Sequence, residues 1–349
     1  MIRVMVVDDS VVLRQSTRLI LESDPDLHVV GEASNGADAV SLVGQLRPDV
    51  ITMDLHMPKM DGTQAIEQIM AEHPAPIIVV TSANLDQEIG LSLRASKSGA
   101  LTVLQRPEGI SAPDFPAFTA KLIEQVKLMS TVKVVRRVRT NKPVPPNVIG
   151  RAMPQGTVKS EIVAIGSSTG GPAALHKILS AIPADFPVPI VIVQHISFGF
   201  VQGLADWLDT ASPLHVKVAQ AGEKIKPGTV YIAPDGNHML VDRLNRIALS
   251  PAEPIGGHRP SVTALFQSVA QSYGAAAITA ILTGMGADGA AGMKVLHDAG
   301  AITIAQDEAS CVVFGMPKEA IALGAARRIV PLDQIAQTLL ALVAAPAPA

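Results

Sequence analysis

The sequence predicts an α/β protein with two doubly wound, parallel-sheet domains. Short apolar runs alternate with amphipathic helical stretches along most of the chain, which is typical of parallel sheets flanked by helices. Hydrophobic residues make up 48% of the 349 residues and charged residues 17%, a composition that suits strands buried on both faces. A chain of this length is expected to divide into two or three domains, and the pattern indicates two.

The first domain is predicted over residues 1–122. Its candidate strands are the apolar runs IRVMVV, VVGEA, DVITMD, PIIVVTS and ALTVLQ, each followed by a helical stretch. Such alternation gives a parallel sheet whose ligands bind at the carboxyl ends of the strands. Polar residues that end these strands are therefore the candidates for function.

A basic, proline-containing linker is predicted over residues 123–158, and a second domain over residues 159–345. Between Gln125 and Ser160 there is no acidic residue, although eight lysines and arginines occur there. This composition is typical of an exposed tether. The runs VPIVIVQ, TVYIA and AAAITAILT are the clear strand candidates of the second domain, and the final AAPAPA is expected to be disordered.

Carboxylates lie at two strand ends of the first domain. Asp8 and Asp9 follow the first strand and Asp54 the third, while Thr81 ends the fourth. Converging carboxylates repel one another unless a cation neutralises them, and Mg²⁺ prefers such oxygen ligands together with phosphate oxygens. Arg106, after the fifth strand, adds a guanidinium suited to grip a phosphate. Any one of these acids could be a helix cap, but the set predicts a metal-assisted phosphoryl site.

The second domain opens with a nucleophile-elbow pattern, G-x-S-x-G, at residues 166–170. An apolar run at 161–165 precedes it and a helical pattern at 172–182 follows, so the strand-turn-helix context is present. Ser168 is predicted at the apex of the turn and Ser167 off it. The alternative is a glycine-rich turn that opens a helix and whose free N–H groups bind phosphate or no ligand at all.

A serine nucleophile needs a base and an orienting acid. His195 ends the strand VPIVIVQ and is the predicted base. His238 and His258 follow turn signals and could line the same cleft. For the acid, Asp288 lies in the glycine-rich turn after a buried strand, and Asp235 in an APDG turn is the competitor.

Four motifs of the first domain together resemble a response-regulator receiver domain: VVDDS, MDLHMPKMDG, the VTS strand end and the late RP dipeptide. The resemblance implies a flavodoxin-like fold and phosphorylation of Asp54 by a chemotaxis histidine kinase. It further implies that Asp8, Asp9 and Asp54 bind Mg²⁺ and that Thr81 couples phosphorylation to movement. Arg106 departs from the pattern, because the family normally has lysine at that position.

The second domain resembles the catalytic domain of chemotaxis protein-glutamate methylesterases in six motifs: IGSSTGGP, VQHISFGF, APDGNHM, HRPSV, LTGMGADGAAGM and SCVVFGMP. By motif position this implies Ser168 as nucleophile, His195 as base and Asp288 as orienting acid. The substrates would be glutamyl methyl esters, and also glutamine amides, on methyl-accepting chemotaxis receptors. The main-chain N–H groups of Thr169 and Met285 are candidate oxyanion donors, and no cofactor is expected in this Rossmann-like esterase domain.

Other classes of protein are disfavoured. A net charge of −3 and the lack of a basic recognition helix argue against nucleic-acid binding. No apolar run reaches the length of a membrane span, and no signal peptide begins the chain, so a cytoplasmic protein is expected. GSSTGG lacks the lysine of a P-loop, which disfavours a nucleotide site. A phosphorylation-controlled binding module without catalysis is disfavoured by the ordered serine, histidine and aspartate.

Overall fold

The computed structural model describes residues 1–81, 102–109, 111–132 and 160–344. The chain divides into two compact units, Met1–Pro143 and Val144–Ala349. Each contains a parallel sheet with helices, so the predicted fold class is confirmed. Most of the predicted linker and the final tail lie outside the described residues. In the described ranges, no helix has the length and apolar character needed to cross a membrane.

The first unit follows the predicted βα alternation in its described part, and the predicted helical stretch after the fourth strand lies outside that part. Its last described helix continues to Met129, so the predicted domain limit at residue 122 falls inside a helix and the domain limits stay a prediction. The strands and helices are β1 (Ile2–Val7), α1 (Val11–Glu22), β2 (Leu27–Ala33), α2 (Gly36–Leu46), β3 (Val50–Met53), α3 (Gly62–Glu72), β4 (Ile77–Thr81), β5 (Thr102–Gln105) and α4 (Phe115–Met129).

The five strands of this unit form one sheet in the order β2-β1-β3-β4-β5, and every neighbouring pair is parallel. This is the flavodoxin-like order. All four residues of β3 and all five of β4 are buried, because helices cover both faces of the sheet. The carboxyl ends of β1 and β3 are neighbours, which brings the residues after Val7 and Met53 to one edge.

The second unit has nine strands and six helices in its described part. They are β6 (Ile162–Ser167), α5 (Gly171–Leu179), β7 (Ile190–Gln194), α6 (Val201–Ala211), β8 (His215–Val218), β9 (Thr229–Ile232), β10 (His238–Val241), β11 (Ile247–Ser250), α7 (Val262–Tyr273), β12 (Ala277–Ile281), α8 (Ala290–Asp298), β13 (Ile302–Gln306), α9 (Met316–Ala322), β14 (Arg328–Val330) and α10 (Leu332–Ala344).

Seven of these strands form a parallel sheet in the order β14-β13-β12-β6-β7-β9-β8. β6 is central, with β12 on one side and β7 on the other. Every residue of these three strands is buried, which explains their continuous apolar runs. Their carboxyl ends lie side by side, so the turns that follow them share one edge of the sheet.

An antiparallel hairpin of β10 and β11 lies outside the main sheet and was not predicted. Each strand has only four residues, so its alternation of buried and exposed side chains is too short to distinguish it from a loop. The hairpin packs against α7. It begins with His238, one of the histidines considered for the cleft.

Candidate active site and phosphoacceptor site

Ser168 lies in the turn between β6 and α5, as the elbow pattern predicted. Its backbone N–H donates to the carbonyl of Thr283, after β12, at 3.0 Å. Gly170 adopts the left-handed region at φ 79°, which a residue with a side chain rarely does. Ser168 is half-buried, whereas Ser167 is fully buried and its Oγ donates to Gln194. Of the two serines, only Ser168 reaches the surface of the turn.

His195 leaves the neighbouring strand at the same level as Ser168. Ser167 and Gln194 are register partners of β6 and β7, and the N–H of His195 donates to the carbonyl of Ser167 at 2.9 Å. Neighbouring strands lie about 4.8 Å apart. Ser168 is the first residue after β6, and His195 is the first residue after β7. Their backbones therefore leave the sheet about one strand spacing apart.

Asp288 contacts the imidazole of His195. Asp288 Oδ2 lies 2.9 Å from His195 Nε2, and the two side chains are only 4% and 11% exposed. The other ring nitrogen, Nδ1, is buried and has no hydrogen-bond partner among the described residues. Nδ1 is thus the nitrogen left to take a proton, and the Ser168–His195 hydrogen bond of a closed triad is not made in this arrangement. Such bonds often tighten only when substrate binds.

The carboxylate of Asp288 also sits at the N-terminus of α7. It accepts hydrogen bonds from the N–H groups of Val262 and Thr263, at 2.7 and 3.0 Å, and from Ser261 Oγ at 2.8 Å. Burial raises the pKa of Asp288, but the His195 imidazole and these donors outweigh it, so the pKa lies well below its usual range. Asp288 therefore stays ionised and accepts the hydrogen bond from His195 Nε2.

The competing residues have structural partners. Asp235 accepts from the N–H of Gly199 at 2.8 Å, which fixes the turn after β7, and burial raises its pKa. His238 is buried: its Nδ1 accepts from the N–H of Ser261 at 3.1 Å, and its Nε2 lies 3.1 Å from the carbonyl of Glu253. Because Nδ1 accepts, Nε2 carries the proton and donates. His238 thus holds the segment that precedes α7.

That segment places His258 against the candidate base. The rings of His258 and His195 stack, with centroids 4.1 Å apart. The backbones of Ile255 and His258 exchange two hydrogen bonds of 3.1 Å each, and Arg259 donates to the carbonyl of Pro251 at 3.0 Å. The sequence indicated that His258 could line the cleft. In the structure its ring covers one face of the His195 imidazole.

Two contacts of this site were not predicted. Gln194 bonds to both the Ser168 and the His195 backbone, and Ser261 bonds to Asp288. A polar residue that ends a fully apolar strand is a usable signal for Gln194. For Ser261, the sequence shows a helix N-cap before VTALF, and Ser261 Oγ does accept from Ala264. Its bond to an acid 27 residues away has no local signature.

In the first unit, the three predicted carboxylates come together. Asp8, Asp9 and Asp54 each offer an oxygen, and these oxygens lie within 4.8 Å of one another. Burial and the charge of Asp8 raise the pKa of Asp54 to about 6, although the N–H groups of Leu55 and His56 oppose the shift. Three carboxylates crowded in this way fit a hard divalent cation such as Mg²⁺.

Arg106 lies at the same edge, and its partner is Asp8. Arg106 Nη1 donates to Asp8 Oδ2 at 2.9 Å and Nη2 to Thr17 Oγ1 at 3.4 Å, with Asp8 only 2% exposed. The N–H of Arg106 donates to the carbonyl of Thr81 at 2.8 Å. The guanidinium predicted to grip a phosphate is therefore paired with one of the candidate metal ligands.

Two family models match the chain, one in each unit. A family model described as CheB methylesterase matches residues 163–339, just over half of the chain. The response regulator receiver domain matches residues 4–112. The chain belongs to the CheB methylesterase family. The two resemblances seen in the sequence are confirmed.

Relatives match this chain over nearly its whole length. A protein-glutamate methylesterase/protein-glutamine glutaminase of Nitrosospira multiformis is 47% identical over 99% of this chain and 98% of its own length. One from Syntrophus aciditrophicus is 46% identical over all of both chains. The crystal structure of the Thermotoga maritima CheB methylesterase catalytic domain is 43% identical, with a TM-score of 0.52, and covers 53% of this chain and 100% of its own.

Proposed function

We propose that the chain is a phosphorylation-activated serine hydrolase that demethylates glutamyl methyl esters on bacterial chemotaxis receptors and deamidates their glutamines. The names of the full-length relatives support both activities. The observation that carries the proposal is the shared edge of β12, β6 and β7, where Asp288 contacts His195 and Ser168 begins the adjacent turn. The enzyme acts in the cytoplasm, on receptor segments exposed there.

The mechanism follows from the partners of each group. Ser168 Oγ attacks the ester carbonyl while His195 Nδ1 takes its proton. Asp288 holds Nε2–H and stabilises the imidazolium, because its own pKa is too low for it to take the proton. His195 then protonates the departing methoxide, methanol leaves, and a water activated by His195 frees the glutamate. With a glutamine substrate His195 protonates the departing amide nitrogen, which leaves as ammonia.

Negative charge on the tetrahedral intermediate requires hydrogen-bond donors. The N–H groups of Thr169, next to the nucleophile, and of Met285, in the turn after β12, are the proposed donors. Neither N–H donates to another residue in the described part of the chain, so both are available. The peptide plane that carries the Thr169 N–H is held through the Ser168 carbonyl, which accepts from Gln194 Nε2 at 2.8 Å.

Control is assigned to the first unit. Asp54 is the proposed phosphoacceptor, with a chemotaxis histidine kinase as donor, and Thr81 and Arg106 respond to the phosphoryl group. Asp8, Asp9 and Asp54 would hold Mg²⁺, which when bound neutralises phosphoryl oxygens. The Asp54 carboxylate supplies the attacking oxygen. Burial and the charge of Asp8 raise the pKa of Asp54 to about 6, and a bound cation would favour the ionised carboxylate.

The deciding experiment measures methanol release from methylated receptor membranes, with and without a phosphodonor. The Ser168→Ala variant should lose the activity, while Ser167→Ala should keep a substantial fraction. Asp54→Asn should keep the basal rate and lose the response to phosphodonor. Equal loss in the two serine variants contradicts the assigned nucleophile, and a phosphoryl group mapped by mass spectrometry to another residue contradicts the assigned acceptor.

A further inference from the structure

Gln194 makes three hydrogen bonds at the point where β6 and β7 end. The residue is only 3% exposed. Its Oε1 accepts from Ser167 Oγ at 2.6 Å. Its Nε2 donates to the carbonyl of Ser168 at 2.8 Å and to the carbonyl of His195 at 2.7 Å. Both N–H groups of the amide, and its oxygen, therefore have partners.

The two carbonyls that Gln194 binds lie just beyond the paired strands. The register of β6 and β7 ends at the pair of Ser167 and Gln194, so the next carbonyls need other donors. The N–H of Gly171 also donates to the Ser168 carbonyl, at 2.8 Å. A Cβ at position 171 would lie 1.9 Å from Gln194 Oε1, so glycine there keeps the space that the amide occupies.

One planar amide thus holds the backbone of the candidate nucleophile and that of the candidate base. Both N–H bonds belong to one nitrogen, so covalent geometry fixes the angle between them. This fixes the separation of the Ser168 and His195 carbonyl oxygens that accept from them. The N–H of Ser168 is held separately by Thr283 at 3.0 Å. Neither side chain of the reacting pair is bonded to the other, so their separation depends on these backbone contacts.

We propose that Gln194 is a positioning residue that sets the distance between Ser168 and His195 for proton transfer. The inference rests on the proposed function in one respect, that Ser168 and His195 are nucleophile and base. Gln194 does not touch the reacting atoms. Its loss should therefore slow the chemical step and leave receptor binding unchanged.

The test uses two substitutions in the full-length protein. Gln194→Glu keeps the shape and removes the two N–H donors, and Gln194→Met keeps the approximate length without any hydrogen bond. We expect kcat for methanol release to fall about 10- to 100-fold in both variants, since small misplacements of reacting groups cost this much. KM should remain near the wild-type value. Ser167→Ala, which leaves both carbonyl contacts in place, should change kcat much less.

Gln306 provides a matched control, because it is a fully buried glutamine at the end of β13. Its Oε1 accepts from the N–H of Thr283 at 2.9 Å, and its Nε2 donates to the carbonyl and the Oγ of Ser310, at 2.7 and 3.2 Å. Gln306→Met removes as many hydrogen bonds but none to Ser168 or His195. It should lower the melting temperature about as much as Gln194→Met and lower kcat far less.

A second readout separates this inference from the proposed function. Labelling of Ser168 by an organophosphonate requires the nucleophile and the base but no receptor. Slower labelling in folded Gln194 variants than in wild type supports the positioning role. If the wild type is labelled but releases no methanol, the proposed function is wrong and the positioning role still stands. Wild-type labelling and kcat in either folded Gln194 variant overturn the inference, as does an equal kcat loss in Gln306→Met.

Discussion

The imidazole rings of His195 and His258 lie face to face, with centroids 4.1 Å apart and planes within 2° of parallel. His195 is held at one ring nitrogen by Asp288, which fixes where that edge points but leaves the ring plane free to turn. The stacked ring of His258 removes this freedom. The orientation of Nδ1, the proposed base, thus depends on a residue outside the proposed triad.

We therefore expect His258→Ala to lower kcat/KM for methanol release about two- to tenfold, the equivalent of losing an aromatic stacking contact. His258→Phe, which keeps a flat ring, should retain most of the activity. His215→Ala is the control, because His215 is exposed and pairs with Asp209 on the surface. Equal effects of the alanine and phenylalanine variants would assign the loss to the imidazole nitrogens and contradict the stacking role.

Asp288→Asn should reduce activity by a factor on the order of 10⁴, somewhat less than Ser168→Ala, because triad members act as a unit. An amide cannot accept from His195, Ser261 and the start of α7 as a carboxylate does, nor stabilise the imidazolium. Initial rates of methanol release measure the loss. Activity within tenfold of wild type would move the orienting role to another acid, with Asp235 the first to test.

The same substitution has a pH-dependent effect on stability. The pKa of Asp288 in the folded protein lies below its unfolded value, so the carboxylate stabilises the fold above about pH 4 and this contribution is lost as the pH falls towards the folded pKa. We expect Asp288→Asn to lower the free energy of unfolding by about 1 to 3 kcal/mol at pH 7. Denaturant titrations should show the difference from wild type shrinking below about pH 4. A difference that grows in acid contradicts this sign.

His238 should matter for stability more than for chemistry. His238→Phe leaves the Ser261 N–H and the Glu253 carbonyl without their partner, which should cost about 1 to 3 kcal/mol. Activity should fall less than in His195→Ala, because His238 touches neither Ser168 nor the substrate in the proposed mechanism. Thermal unfolding and methanol release on the same samples separate the two effects. If a His238 variant unfolded like wild type and lost as much activity as His195→Ala, His238 would have a role in the chemistry and this prediction would be wrong.

The sequence predicts both sheets and the edge where each site lies, because buried parallel strands read as apolar runs and their ends carry the polar residues. It places Ser168, His195 and Asp288 after three such strands. The contacts between them depend on strand order, which a single sequence does not encode locally. Gln194 illustrates the limit: it is visible as a polar residue after IVIV, but its partners become apparent only when β6 and β7 are paired.

The position of Arg106 was predicted, whereas its partner was not. Asp8 is almost fully buried, and its carboxylate forms an ion pair with Arg106. Removing one member of a buried ion pair leaves an uncompensated charge, here beside Asp9 and Asp54. We expect Arg106→Met to lower the stability of the first unit by about 3 kcal/mol in buffer without Mg²⁺. Because the same carboxylates are the proposed Mg²⁺ ligands, added Mg²⁺ should recover much of this loss.

Thermal unfolding of the full-length protein, with and without Mg²⁺, measures both effects. The matched control is Arg18→Met: Arg18 pairs with Glu22 and Glu32 on the surface, and exposed pairs contribute little. Arg106→Lys should lie between wild type and Arg106→Met, because lysine keeps the charge but not the second bond to Thr17. If Mg²⁺ raises the melting temperature of Arg106→Met no more than that of wild type, the guanidinium and the metal do not serve the same carboxylates. Arg106 would then act on the phosphoryl group alone.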